Sequence, residues 1–139
     1  MSRYRISLPS SSEACGRLRS YVRHIGRKEG FSDQFSCRIE LAVHEAFINA
    51  ASHGNRGMKE LPVSISFSSG LSSQGAFLDV EIIDSGNGFN LPDTAESAEV
   101  DNLTCFSGRG VHIIRNFAES VRQESDSGEH RLALRFIPY

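Results

Sequence analysis

The stretch Glu45-Ala-Phe-Ile-Asn49-Ala-Ala-Ser-His53-Gly54 closes the segment whose periodicity decides the fold. Running back from it, Phe35, Ile39, Ala42, Val43, Ala46, Phe47 and Ala50 recur at three- and four-residue spacing. That spacing predicts one buried helical stripe, capped at Ser32 or Asp33 and stopped at Gly54. Glu45, Asn49 and His53 fall on a neighbouring, more polar face of the same helix. Residues four apart on a helix lie about 40° apart around its axis, so the carboxylate of Glu45 and the amide of Asn49 face one cleft while the apolar stripe packs on a sheet.

Working outward, Tyr4 to Leu8 alternate polar and apolar residues before Pro9, which predicts a short edge strand. Ser10, Ser11 and Ser12 offer a cap for a first helix, Glu13 to Lys28, with Leu18, Tyr21, Val22 and Ile25 inward and Gly30 as its stop. Beyond Pro62 the period changes to two: Val63, Ile65 and Phe67 alternate with Ser64, Ser66 and Ser68, a half-buried strand. Ser68 to Gly75 reads as a polar hairpin loop, and Ala76 to Asp84 as a strand running straight into the glycines Gly86 and Gly88. Residues 90–107 lack periodicity and read as a long loop that holds a short helix. Gly108-Arg109-Gly110 then opens a third helix, Val111 to Ala118, with Val111, Ile114 and Phe117 inward. Ser120 to Glu124 and His130 to Ile137 pair across Asp126-Ser-Gly128 as a closing hairpin. The order β-α-α-β-β-loop-α-β-β predicts an α/β protein of the α+β type, a two-layer sandwich with about three helices on one face of a mixed, mostly antiparallel sheet. The 139 residues are read as one domain.

Composition narrows the function. With 15 Lys and Arg against 17 Asp and Glu, the chain has no basic excess to hold nucleic acid or an anionic membrane. Three cysteines without C-x-x-C spacing suggest neither a disulfide framework nor a zinc knuckle, which fits a reduced, cytoplasmic protein. No stretch of 18 apolar residues and no signal-like start occurs, so neither secretion nor membrane insertion is expected.

Three motifs carry chemistry. A hard cation such as Mg²⁺ takes oxygen ligands, so the Asn49 carbonyl can hold it while Glu45 beside it orients or deprotonates a hydroxyl. Asp84 at a strand end can accept a hydrogen bond from an exocyclic amino group, and Gly86 and Gly88 let backbone approach a flat ring. Gly108-Arg109-Gly110 before a helix gathers free amides, the positive dipole end and a guanidinium, which suits phosphates. Other readings fail on spacing. His44-Glu45 lacks the second histidine of a zinc protease, since Ile48 stands there; no G-x-x-x-x-G-K-[ST] run exists; and Gly86-x-Gly88 is followed by Leu91 rather than a third glycine.

Glu45 to Gly54, Asp84-Ser-Gly86-Asn-Gly88-Phe89 and Ser107-Gly108-Arg109-Gly110-Val111-x-Ile113-Ile114 resemble, in order, the N, G1 and G2 boxes of the GHKL-type ATPases. Within that superfamily the chain resembles the bacterial anti-sigma-factor serine kinases. The resemblance implies a Bergerat-type ATP-binding fold with ATP and Mg²⁺ as cofactors. It implies Asn49 as the Mg²⁺ ligand, Glu45 as general base, Asp84 on the adenine amino group, and Gly86 and Gly88 under the base. It also implies 90–107 as the ATP lid and Gly108, Arg109, Gly110 and Val111 around the phosphates. His53 matches a histidine with a structural role. The G2 segment has fewer glycines than other superfamily members, and the lid has no lysine or arginine, so phosphate contacts fall to backbone, hydroxyls and Arg109.

The implied function is a kinase that sequesters a sigma factor and phosphorylates an anti-anti-sigma protein on serine. Arg17, Arg19 and Arg23 lie on the first helix, and Arg17 is the expected contact to an acidic sigma surface. Direct nucleic-acid binding is not expected, and a homodimer is left open. Two alternatives remain: a nucleotide-binding module that holds a partner without transferring phosphate, and the ATPase domain of a split histidine kinase. The latter would need a helical hairpin bearing a phospho-accepting histidine, for which His24 is the sole candidate in the first helix.

Overall fold

The computed structural model describes residues 2–73, 75–85, 113–126 and 128–137. Strand β1 (Ser2–Pro9) leads through a 3-10 turn, Ser12–Ala14, into helix α1 (Cys15–Glu29). The Ser11 hydroxyl caps that turn by accepting from the Glu13 amide, so the chain turns helical where expected, but the α-helix itself begins at Cys15. Gly30 ends α1 in the left-handed conformation, φ 72°, which glycine adopts without steric cost. Ser32 rather than Asp33 caps helix α2 (Asp33–Asn49), accepting from the Phe35 amide at 3.1 Å. All seven residues of its predicted stripe are buried.

Strands β2 (Pro62–Ser72), β3 (Gly75–Asp84), β4 (Ser120–Asp126) and β5 (Glu129–Phe136) complete a sheet of order β1-β2-β3-β5-β4. All four pairings are antiparallel, and β1 is an edge strand as expected. The β2–β3 loop is shorter than the composition of Ser68 to Gly75 suggests, because both strands remain paired out to Ser72 and Gly75. The reason is a cross-strand fit. Gly70 lies opposite Phe77, whose ring occupies the space a Cβ at Gly70 would take, 2.7 Å from Cζ. The Arg135 guanidinium then covers that ring at 4.1 Å.

Strand alternation separates the two faces of the sheet. Val63, Ile65 and Phe67, then Leu78, Val80 and Ile82, then Leu132, Leu134 and Phe136 point inward and meet the stripe of α2 and Leu18, Val22 and Ile25 of α1. Residues 113–117 are helical and contribute Ile114 to the same core. Burial of these side chains, at about 1.5 to 3 kcal/mol each, is what offsets the ordering entropy of the chain. The opposite face is polar, with Arg135 bidentate on Asp79 at 2.7 and 2.8 Å and Arg131 near Glu81. The fold is thus the expected two-layer sandwich with its helices on one face. Among the described residues no helix is long and apolar enough to cross a membrane.

Candidate functional site

The last turn of α2 does not stop cleanly. It widens directly after Asn49 into a π-helical turn, Ala50–Gly54. That turn brings Gly54 and Asn55 against the end of β3. A Cβ placed on Gly54 would fall 2.4 Å from Asp84 Cγ, so the carboxylate lies on bare glycine backbone. Asn55, only 1 % exposed, joins three segments. Its Oδ1 accepts from the Ser85 amide at 2.8 Å, and its Nδ2 donates to the Ser10 hydroxyl at 2.9 Å and to the carbonyls of Leu61 and Pro62 at 3.0 and 3.1 Å. The exit of β3 is thereby tied to the ends of β1 and the start of β2.

Asp84 is 1 % exposed, and His130 on β5 stands directly opposite it in the sheet register. The two side chains meet, His130 Nδ1 lying 3.4 Å from Asp84 Oδ2. A small pocket is lined by Ala46, Asn49 and Ala50 from the helix side and by Ile82, Asp84, His130 and Leu132 from the sheet. Four of its seven lining residues are apolar and three polar, and the cavity as it stands has room for about one water molecule.

Three buried polar atoms at this end of the molecule have no hydrogen-bond partner among the described residues: Glu45 Oε2, Asn49 Nδ2 and His130 Nε2. A buried donor or acceptor left unpaired costs about 1 to 3 kcal/mol, so these atoms are candidates for contacts to a ligand. Burial pushes the half-buried Glu45 carboxyl above the ordinary carboxylate range, and the neighbouring His44 pulls it part of the way back. A raised carboxyl is better matched to taking a proton near neutral pH than an exposed glutamate.

The structure therefore brings Asn49 and Asp84 to one pocket and keeps Glu45 one helical turn before Asn49 on α2. His53, at the end of the π-helical turn, is exposed. Gly86, Gly88, Gly108, Arg109, Gly110, Val111 and the 90–107 segment lie outside the described residues. Of Arg17, Arg19 and Arg23 on α1, Arg19 and Arg23 both pair with Glu40 of α2, at 3.2 and 3.1 Å, and so brace the two helices. Arg17 makes no ion pair among the described residues.

Sequence reasoning passed over two residues. His130 had a signal: it continues the alternation of Leu132, Leu134 and Phe136, which places an imidazole on the inner face. Asn55 had none, because its partners come from distant segments. Among the described residues no cluster of three or more His, Cys, Asp or Glu could hold a metal. A divalent ion here needs most of its oxygens from elsewhere, as Mg²⁺ does with water and substrate phosphates, and the buried Asn49 amide fits a single protein ligand of that kind.

Comparison with known proteins agrees with this architecture. The model of the histidine kinase-like ATPase domain matches residues 8–137. The serine-protein kinase RsbW of Bacillus licheniformis is 28 % identical over 130 residues, covering 86 % of this chain and 76 % of that protein. Among solved structures, the RsbU and RsbW domains of a Mycobacterium tuberculosis protein superpose with a TM-score of 0.66 at 17 % identity, over 99 % of this chain and 33 % of that one. A blue-light activated histidine kinase of Erythrobacter litoralis superposes with a TM-score of 0.55 at 18 % identity, over 92 % of this chain and 41 % of that one. This chain thus spans well under half the length of those two solved chains, and at such identities the likeness concerns the fold. The match across nearly all of the chain, joined to an Asp84 pocket under an α2 that carries Glu45 and Asn49, shows that the chain belongs to the histidine kinase-like ATPase domain family.

Proposed function

We propose that this chain is an ATP-dependent protein serine kinase of the anti-sigma type, which holds a sigma factor and phosphorylates an anti-anti-sigma protein on serine. The observation that carries the reading is the face of α2 on which Glu45 and Asn49 stand one turn apart, each with a buried polar atom lacking a partner among the described residues, beside the Asp84 pocket. A module that only bound nucleotide would have no use for a half-buried carboxyl whose pKa is raised by burial and one of whose oxygens has no hydrogen-bond partner among the described residues. The 28 % identity to a serine-protein kinase supports the same choice.

In this reading Asp84 accepts a hydrogen bond from the adenine amino group, and the apolar walls from Ala46, Ala50, Ile82 and Leu132 contact the faces and edge of the base. Asn49 would hold Mg²⁺ through its side-chain oxygen, and the ion when bound neutralises phosphate charge. Glu45 takes the proton of the acceptor serine as its oxygen bonds to the γ-phosphorus and ADP departs. Gly86 and Gly88 are assigned to the floor under the base, residues 90–107 to the lid, and Gly108, Arg109, Gly110 and Val111 to the phosphates, within one domain over 1–139. Arg17, outside the Glu40 brace, is assigned to the sigma factor.

The test mixes the purified chain with Mg-ATP labelled at the γ-position and a serine-bearing anti-anti-sigma protein. Label is expected on the acceptor with the parent chain and not with Glu45→Ala, while Asn49→Ala impairs retention of Mg-ATP. Tight ATP binding with no label on any acceptor would favour the non-transferring module. Parental transfer by the Glu45 variant would remove the base assignment.

A further inference from the structure

Hydrogen bonds at the edge of the sheet fix which way the backbone groups of β2 point. The Tyr21 hydroxyl accepts from the Arg5 amide at 3.1 Å and donates to the Arg5 carbonyl at 3.0 Å, so Arg5 turns its backbone groups away from β2. Ser66 lies opposite Arg5, and backbone groups alternate sides along a strand; Ser66, Ser64 and Pro62 therefore aim theirs at β3. Ser64 pairs with Ile83, and the next hydrogen-bonded rung in that register would join Pro62 to Ser85. That rung is not direct. The Asn55 carboxamide stands in it, its Oδ1 accepting from the Ser85 amide at 2.8 Å and its Nδ2 donating to the Pro62 carbonyl at 3.1 Å. Proline has no amide proton, so a direct rung would hold by one bond at most, whereas the side chain serves both strands at once.

We infer that Asn55 is a positioning residue for the nucleotide: its inserted carboxamide sets the separation of β2 and β3 where β3 ends, and with it the place at which Asp84 presents its carboxylate. The inference rests on the proposed ATP site and deepens it. Ser85 follows Asp84 directly, so the bond to Oδ1 holds the peptide that joins the aspartate to the chain beyond it. The carboxamide is itself held. Asn55 is 1 % exposed, and Nδ2 also donates to the Ser10 hydroxyl at 2.9 Å and to the Leu61 carbonyl at 3.0 Å. These bonds orient it, because a carboxamide turned over would set its oxygen against two carbonyl oxygens and its NH₂ against the Ser85 N–H. Two consecutive residues, Gly54 and Asn55, thus seat two consecutive residues at the end of β3, the first by bare backbone under Asp84 and the second by a hydrogen bond to Ser85. Asn55 acts on the ligand through Asp84, so its removal falls on recognition of the amino group and spares contacts made elsewhere on the nucleotide.

Titration calorimetry with the full chain and Mg²⁺ compares ATP with purine riboside triphosphate, the same nucleotide without the amino group. The parent is expected to prefer ATP by about 10-fold or more, the worth of a hydrogen bond to a charged group. In Asn55→Ala, measured at a temperature where circular dichroism shows it folded, that preference should fall below about 3-fold while affinity for the purine nucleotide changes by less than about 3-fold. A role in stability alone leaves the ratio at its parental value, and that result overturns the inference. Should the alanine variant fail to fold, Ser85→Pro decides, since it removes the amide proton and leaves Asn55 its donations to Ser10, Leu61 and Pro62. The same loss of preference is expected there, and a parental ratio overturns the inference. A parent that shows no preference, or binds neither nucleotide, overturns the proposed ATP site and the inference with it, whereas a preference kept by parent and variants alike counts against Asn55 alone.

Discussion

Gly54 and Asp84 occupy one space: a single methyl group on Gly54 would stand 2.4 Å from the carboxylate carbon of Asp84. The glycine that ends the π-helical turn therefore seats the residue at the heart of the pocket. Gly54 is not in a left-handed conformation, so the requirement is steric and comes from a strand far along the chain.

Gly54→Ala is expected to displace the Asp84 carboxylate and weaken ATP binding by 10-fold or more. Overpacking of a buried contact costs about 1 to 3 kcal/mol, so a lower melting temperature should accompany it. Calorimetric affinity and thermal denaturation check both. An alanine variant that binds ATP as the parent does would show that the carboxylate position is not set by this contact.

Asn55→Ala removes a side chain with four hydrogen bonds and leaves the Ser85 amide and the carbonyls of Leu61 and Pro62 without it. The expected loss is about 2 to 4 kcal/mol, since each buried group left unpaired costs about 1 to 3 kcal/mol and some recover water. Chemical denaturation measures the loss. Amide exchange at Ser85 should rise more than at Val80 in the middle of β3; equal protection at both would contradict the bridging role.

Glu45→Gln should reduce transfer by about 10²- to 10⁴-fold while sparing ATP affinity, the range for loss of a general base. The same change reports on stability. Because the folded carboxyl titrates above its unfolded value, the folded state binds more protons than the unfolded one between those two values. Stability then falls as pH rises through that window, and the cost is fully present above it. The glutamine variant is thus expected to match or exceed the parent in stability at neutral pH, with the gap closing as the solution is acidified. Denaturant titrations at several pH values test the sign; a parent that gains stability relative to Glu45→Gln as pH rises would refute the burial argument.

Arg17→Ala should weaken binding of a sigma factor while leaving the melting temperature within about 1 °C, because exposed charges contribute little to folding. Glu40→Ala is expected to do the reverse, lowering stability by roughly 1 kcal/mol or less through loss of the Arg19 and Arg23 pairs and leaving partner affinity near parental. Pull-down with quantified affinity and thermal melts distinguish the two. Identical partner affinity of the Arg17 variant and the parent would remove Arg17 from the interface.

The α2 stripe from Phe35 to Ala50 and the alternation in β2, β3 and β5 were legible because each side chain's face follows from its own position in a helix or strand. The helix ends were legible for the same reason, since Ser32 and Gly30 act on backbone groups a few residues away. The misread β2–β3 loop marks the limit. Gly70 and its serine neighbours look like a turn by composition, and only Phe77 on the facing strand makes them a strand. Glu45, Asn49 and Asp84 were picked out from motif order, and the resemblance implied that they share one site, but the contacts by which Asn49 and Asp84 reach one pocket were not legible.

Periodicity, capping and motif order in the chain alone determined which residues form helices and strands, which faces are apolar, and which carboxylate and amide share the α2 face. Those properties are local, set by backbone geometry over a few residues. Tertiary structure alone decided that the carboxylate of Asp84 rests on Gly54, that His130 meets it across the sheet, and that Asn55 ties Ser85 to Ser10 and Pro62. Each of those contacts depends on strand register and on the angle of the π-helical turn, which emerge only when the whole sheet closes over its helices.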